Sequence, residues 1–553
     1  MSRFLRHPTA RLARYLLLFW LVLRIHRNAW LLALLSAGLQ ILIFPLPNLY
    51  MLGWVAVTPL ILALLRARQP ETLQLQAPTR LLPAKPWQGF ILGYLCGAIW
   101  YGGTCYWVYA VMRHYGGVNT FAAAGILVLF CLYLGLYHGL FGLFVSWLAG
   151  DSPFSRRALL LAPLIWVAVE LARTRISGFP WDLLGVSQVD NIPLSRIATV
   201  TGVYGISFEI MVVNAALAAA FLVRKEARKP LLFAGIIAAI VLQSGRWVPA
   251  PVIPSDKTAV LVQANIPILE GADWTTDYFR STIHDLTQLS INPGPEESQP
   301  AKLIVWPESP APFYESDPIF RGAISAVALR TNAWVLVGNI GVNSVSMNGG
   351  QPSEVYNSGA LVSNSGQWTS RYDKIHLVPF GEYVPFKRIF AFAGGLTKEV
   401  GDFSAGVSRA PLDDDGTKLG VFICYESIFP DEVRQFAANG AQVLVNISND
   451  GWYGDSGAYA QHLKQARMRA VENARWLLRD TNTGVTASID PYGRIVASVA
   501  RKTRTALVAP FALSDVTTFY TRHGDWFAYL CAIICVGALL IRMFDLRAKK
   551  QSL

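Results

Sequence analysis

Cys424 is the one cysteine in the polar part of this 553-residue chain; the other five lie inside long apolar runs. It closes the strand-like stretch TKLGVFIC and is followed by Tyr425, Glu426 and the helix-start pattern SIFPDE. A lone thiol on a strand-to-helix turn suits nucleophilic chemistry, because the start of a helix favours thiolate. The plain alternative is a small buried apolar residue, the commonest fate of a free cysteine. Partners for a nucleophile stand at comparable places. Glu308 ends the stretch LIVWPE, and Asn449 and Asp450 end LVNIS. Lys374 and Glu382 share RYDKIHLVPFGEYVPF, in which Pro379, Gly381 and Pro385 exclude a continuous helix or central strand. A thiol, a base and a fixed ammonium are what acyl transfer needs for attack, proton removal and support of an oxyanion. Singly, each has a plainer role: Glu308 as a surface carboxylate, Lys374 paired with Asp373, Glu382 holding a loop.

Such residues must be positioned by a scaffold, and the pattern changes to supply one from Lys257 onward. Strands are expected at 258–266, 302–308, 334–342, 359–363, 418–424, 442–448, 484–490 and 493–499. Helices are expected at 275–291, 318–331, 429–439 and 457–478. The last carries a dense basic face of Lys464, Arg467, Arg469, Arg475 and Arg479. Continuous apolar strands alternating with helices predict an α/β domain whose sheets are covered on both faces. Folds of that kind place their ligands at strand ends, where Glu308, Cys424 and Asn449 fall.

The rest of the chain is of another kind. The sequence is 53% hydrophobic and only 15% charged, against about 25% charged in an ordinary soluble domain. Residues 255–522 hold 23 Lys and Arg against 27 Asp and Glu, whereas the remainder holds 25 against 9. The excess of base therefore lies in short loops beside apolar spans and marks no nucleic-acid-binding face. Spans are expected at 29–45, 49–65, 88–111, 120–149, 158–172, 198–223, 231–247 and 525–542. Basic clusters in alternate connections place both termini inside and residues 250–522 outside; Arg173, Arg175 and Arg196 fit that rule poorly. The domain plan is a basic extension at 1–28, seven helices in 29–249, a catalytic domain at 250–522, a last span at 523–545 and a tail at 546–553. Tyr15–Leu23 is too short to span and reads as an interfacial helix or part of the extension. The loop ISGFPWDLLG (176–185) reads as an aromatic belt or as part of a lipid entrance.

The motifs WPES around Glu308, KIHLVPFGEYVP around Lys374 and Glu382, and ICYE around Cys424 resemble the nitrilase, or carbon–nitrogen hydrolase, superfamily. SNDGWYG (448–454) and ARMRAVENAR (466–475) extend the match. With the spans, the chain resembles the lipoprotein-acylating membrane branch of that superfamily over residues 30–545. The resemblance implies an α-β-β-α sandwich outside the membrane, joined to a polytopic α-helical domain of about eight spans. It implies Cys424 as nucleophile, Glu308 as general base, Lys374 as oxyanion stabiliser and Glu382 as supporting carboxylate. The neighbouring motif residues Trp306, Tyr425, Glu426, Asn449 and Trp452 are the expected binding and oxyanion positions. The implied partners are a phospholipid acyl donor, a diacylglyceryl-modified apolipoprotein acceptor and the lipid bilayer, with no nucleic acid and no cofactor. No paired His, Cys and carboxylate spacing suggests a metal. The aromatic-bearing segments 311–320 and 386–403, the second also Gly-bearing, are the expected substrate gates. A membrane-tethered amidase passing the acyl group to water is the alternative, but it needs a single anchor span. A transporter is disfavoured by the scarcity of ionisable residues within spans, chiefly Glu170.

Overall fold

The computed structural model describes residues 24–69, 81–152, 154–223, 225–249, 251–268, 273–294, 301–309, 311–343, 354–383 and 403–551. The Tyr15–Leu23 stretch, most of the basic extension and nearly all of the 386–403 gate lie outside them.

The polar domain is built from two six-stranded sheets. The first runs β12-β1-β2-β3-β4-β5, with β1 Lys257–Gln263, β2 Leu303–Trp306, β3 Trp334–Asn343, β4 Glu354–Val362, β5 Trp368–Asp373 and β12 Thr505–Phe511. The second runs β11-β10-β9-β8-β7-β6, with β6 Leu412–Asp414, β7 Thr417–Ile423, β8 Val443–Ser448, β9 Leu477–Thr481, β10 Ala487–Ile489 and β11 Ile495–Ser498. Side chains alternate across the first sheet. Leu303 and Val305 enter the core shared with Val421, Ile423, Val445 and Ile447 of the second sheet. Ile304 and Trp306 point the other way, into a layer with Ile324 and Val327. The result is the expected α-β-β-α sandwich.

The central strands β1, β2 and β3 are parallel to one another, as are β7, β8 and β9. Their carboxyl ends therefore gather the residues that follow β2, β7 and β8. Close packing helps fix the first of these: a Cβ on Gly338 of β3 would lie 2.1 Å from the Pro307 carbonyl oxygen and 2.9 Å from the Glu308 Cα.

The helical domain comprises α1 Arg27–Ile43, α2 Thr58–Leu65, α3 Pro86–Thr104, α4 Trp107–His114, α5 Thr120–Ala149, α6 Arg156–Ile176, α7 Val203–Leu222 and α8 Lys225–Ser244, besides isolated single turns. Helices α9 Thr276–Ile291 and α10 Pro318–Thr331 cover the first sheet; α11 Pro430–Ala438 and α12 Ala458–Asn473 cover the second; α13 Trp526–Gln551 closes the chain. Among the described residues, Thr120–Ala149, Val203–Leu222, Glu226–Trp247 and Trp526–Ala548 are long and apolar enough to cross a membrane. The run expected at 49–65 is a 3-10 turn followed by α2, and the run at 88–111 breaks between α3 and α4. Phe121, Leu129, Ile240 and Ile533 stand exposed on outer faces, as lipid-facing side chains do. Small residues let α3 and α5 meet backbone to backbone. A Cβ on Gly93 would lie 2.2 Å from the His138 carbonyl oxygen, and one on Gly142 would lie 2.1 Å from that of Gly89.

Candidate active site

Glu308, Lys374, Glu382 and Cys424 converge, and all four are buried. The Lys374 ammonium donates to Glu308 Oε1 at 3.2 Å and to Glu382 Oε1 at 2.9 Å. Asn357, on β4, donates to the same two oxygens at 2.7 and 2.6 Å. The second oxygens are also held. Glu308 Oε2 accepts from the Asn449 amide at 2.7 Å, and Glu382 Oε2 from the Val378 amide at 2.7 Å. Burial opposes the Lys374 charge, but Glu308 and Glu382 outweigh it and raise the pKa above the ordinary lysine range. Two of its three N–H groups are engaged by carboxylates, which leaves a third to meet an oxyanion. Glu308 Oε1 takes two donors and Oε2 one, so Oε2 keeps a lone pair able to receive a proton.

Cys424 follows β7 with φ +49, a left-handed conformation that costs a non-glycine residue about 1–2 kcal/mol. It opens a five-residue 3-10 turn, Cys424–Ile428. Burial first, then the Glu308 charge, raises its pKa, against smaller opposing effects of Lys374 and a hydrogen bond with Ser448. The expectation of a helix-activated thiolate is therefore corrected. The turn is short and buried, and burial with the Glu308 charge disfavours the thiolate.

The supporting residues are placed as follows. Glu426 accepts from the amides of Ile423 (2.6 Å), Ile375 (2.7 Å) and His376 (3.1 Å) and from the Tyr372 hydroxyl (2.8 Å). It ties the Cys424 turn to the segment carrying Lys374 and does so fully buried. Tyr425 sends its hydroxyl to the Gly178 carbonyl at 3.1 Å, in the loop after α6. Asn449 contributes its amide to Glu308, while its side-chain oxygen accepts from Gly451 and Asn482. Trp452 sits at the rim, edge-on to Tyr115. Trp306 is a correction: its indole donates to Ser290 and packs in the helix-side layer, away from the site. The segment 311–320 is likewise less free than a gate requires. Phe313 is stacked on Phe320 in the core, and the backbone pairs with Ile340, leaving Tyr314 and Ile319 exposed.

Residues that the sequence did not single out complete the site. Asn357 lies inside β4, a strand that the pattern placed only from 359. His462, on α12, faces the Cys424 carbonyl at 3.0 Å and Ser427 Oγ at 2.7 Å through Nε2, and Arg479 and Asp450 through Nδ1, both at 3.0 Å. Burial and Arg479 lower the imidazole pKa, and Arg479 with His462 holds Asp450 well below the ordinary carboxylate range against its burial. The basic face expected on 457–478 is in fact buried: Arg479 lies in β9, and Lys464, Arg469 and Arg475 are enclosed as well. An arginine among motif carboxylates (Asp450, Glu472) was the available signal.

The parallel strand ends with their carboxylate, ammonium and thiol define a nitrilase-type catalytic domain, here mounted on a membrane domain. A carbon–nitrogen hydrolase family model matches residues 258–520, and one for the apolipoprotein N-acyltransferase N-terminal domain matches residues 36–216. An apolipoprotein N-acyltransferase of Geobacter metallireducens is 33% identical, covering 95% of this chain and 96% of its own. One of Methylococcus capsulatus is 37% identical over 83% of this chain and 89% of its own. Among solved structures, an amidase from Nesterenkonia sp. matches with 18% identity and a TM-score of 0.35, covering 51% of this chain and 98% of that one. The chain belongs to the apolipoprotein N-acyltransferase family.

Proposed function

We propose that the enzyme moves an acyl chain from a phospholipid, through a thioester on Cys424, to the α-amine of the N-terminal diacylglyceryl-cysteine of a lipoprotein. The reading is carried by the buried Cys424 beside a carboxylate that keeps one lone pair free and an ammonium that keeps one N–H free. Glu308 Oε2 takes the thiol proton as sulfur attacks the ester carbonyl. The oxyanion is met by Lys374 Nζ and by the amide N–H of Tyr425. The carbon–oxygen bond then breaks, Glu308 returns the proton to the departing oxygen, and lysophospholipid leaves. In the second half the amine attacks the thioester, Glu308 takes its proton, and the carbon–sulfur bond breaks. That proton returns to the Cys424 sulfur, leaving an amide. Glu382 and Asn357 hold Lys374 and Glu308 in place throughout.

Both substrates are lipids, which gives the helical domain a role beyond anchoring: it brings acyl chains to the thiol without passage through water. The distribution of basic loops supports a catalytic domain on the outer side of a bacterial inner membrane, with both termini cytoplasmic and the domain limits stated above. The test is intact mass. Incubation with phospholipid alone should add one acyl mass, labile to hydroxylamine, on the Cys424 peptide, and Cys424→Ser should abolish both adduct and transfer. Transfer by that variant would refute the nucleophile. Labelling of Cys424 by a membrane-impermeant thiol probe only from the cytoplasm would refute the orientation.

A further inference from the structure

His462 lies behind the proposed nucleophile, and its ring is fixed on every side. Nδ1 lies 3.0 Å from both Arg479, which can only donate, and Asp450 Oδ1, which can only accept, so that side of the ring is met by a donor and an acceptor together. The Cys424 carbonyl can only accept, so the Nε2 that lies 3.0 Å from it carries a proton and donates it there, with the Ser427 hydroxyl 2.7 Å from the same nitrogen. Arg479 is held in turn by Asp450 at 2.8 Å, and Asp450 by Ser448 at 2.9 Å. Trp181, from the loop after α6, stacks on the imidazole with centroids 5.8 Å apart and planes 12° apart. The Trp181 indole is itself fixed by Gln461 at 2.7 Å. A buried histidine with purely structural duties would satisfy its polar atoms anywhere. This one has its Nε2 directed at the Cys424 carbonyl and the Ser427 hydroxyl, beside a residue whose backbone is left-handed, φ +49 at Cys424.

In a trans peptide the carbonyl and the following N–H point in opposite directions. The peptide whose oxygen His462 holds is the one whose N–H belongs to Tyr425. That N–H starts a turn, where no helical carbonyl is available to it. We propose that His462 is the positioning residue of the oxyanion hole: by fixing the Cys424 carbonyl on the buried side, it aims the Tyr425 N–H at the reacting ester oxygen. The proposal rests on Cys424 as the nucleophile. It also makes Trp181, a residue of the membrane domain, part of the wall that holds the oxyanion donor in register.

The experiment compares two reactions of the same sulfur. Thioester formation from phospholipid develops an oxyanion; alkylation by iodoacetamide does not. His462→Phe keeps a ring against Trp181 and removes the N–H. Since losing an oxyanion donor outright costs 10²–10³ in rate, a loosened one should slow thioester formation about 30- to 100-fold. Alkylation of Cys424 should stay within about threefold of wild type. His462→Gln, which returns an N–H near the Nε2 position, should recover at least about fivefold of the lost rate. Thioester formation by His462→Phe at the wild-type rate would overturn the inference. So would equal losses in both reactions, which would mean collapse of the turn, or a His462→Gln variant no faster than His462→Phe. If wild-type enzyme forms no thioester, the nucleophile assignment fails and takes this inference with it.

Discussion

Glu382→Gln probes the carboxylate cluster with a change of one atom. Both oxygens of Glu382 accept, Oε1 from Lys374 and Asn357 at 2.9 and 2.6 Å, and Oε2 from the Val378 amide at 2.7 Å. A glutamine has one accepting end and one donating end. Set one way, its NH₂ faces the Val378 amide; set the other way, it faces two donors at once. The variant also leaves Lys374 with Glu308 alone as a counter-charge. Breaking a buried pair by removing one partner costs about 3–5 kcal/mol, and the surviving Glu308 contact puts this case near the lower end. If half to all of about 3 kcal/mol falls on the aim of the ammonium in the transition state, thioester formation slows about 10- to 100-fold, at 1.4 kcal/mol per decade. The assay is the rate of acyl-enzyme formation from phospholipid in micelles, read by intact mass, with thermal unfolding and Cys424 alkylation in parallel. The expected result is slow acylation, a lowered Tm and near-normal alkylation. A variant that acylates within about threefold of wild type at full stability would reduce Glu382 to a loop tether and refute the reasoning.

Two further outcomes follow from the same geometry. Because burial and the Glu308 charge raise the Cys424 pKa, the thiol is neutral at pH 7, and its alkylation should climb about tenfold per pH unit through the ordinary thiol range. A plateau at or below pH 8 in the rate of iodoacetamide modification would contradict that sign. Gly338→Ala should displace the Pro307–Glu308 backbone, lowering acylation at least about tenfold while leaving membrane insertion unchanged. Normal acylation by this variant, measured by intact mass, would show that the strand end can shift without moving the base.

Much of this was legible in the sequence because each proposed catalytic residue ends a strand or interrupts a patterned segment. What escaped has physical reasons. The apolar and small residues after Gly457 keep helical spacing past the true end of α12, so nothing in the periodicity revealed that Ala474 turns left-handed (φ 51) and that β9 begins at Leu477. The arginines read as one basic helix face because their partners, Asp190, Asp450 and Glu472, are distant in sequence or masked by helical spacing. β5 was missed because it is an edge strand with mostly polar residues, and Asn357 because a polar side chain inside a strand breaks the apolar pattern. Thiolate activation was expected from the turn alone; a reading without depth could not weigh the burial that opposes it.

Two of the three arginines that fit the charge rule poorly, Arg175 and Arg196, show how the two domains are joined. Arg173 donates to the Trp181 carbonyl at 2.7 Å and lies over the rings of Trp100 and Tyr101. Arg175 pairs with Asp431 at 3.1 Å and Asp525 at 2.6 Å, linking α6 to α11 and to the start of α13. Arg196 lies over the Tyr492 ring. From the other side, α12 reaches into the helical domain through Gln461 to the Pro45 and Thr104 carbonyls, and through Glu472 to the Val203 amide. Arg175 and Arg196 are engaged in contacts between domains and Arg173 within the helical domain, so their charges are taken up by protein contacts. The seam between the domains carries Trp181 to His462, one hydrogen bond from the Cys424 carbonyl. In a soluble relative the wall behind the nucleophile would have to come from the catalytic domain itself. Here the helical domain supplies Trp181, so the proposed active site would lose that wall behind Cys424 in a catalytic domain cut free of its helices.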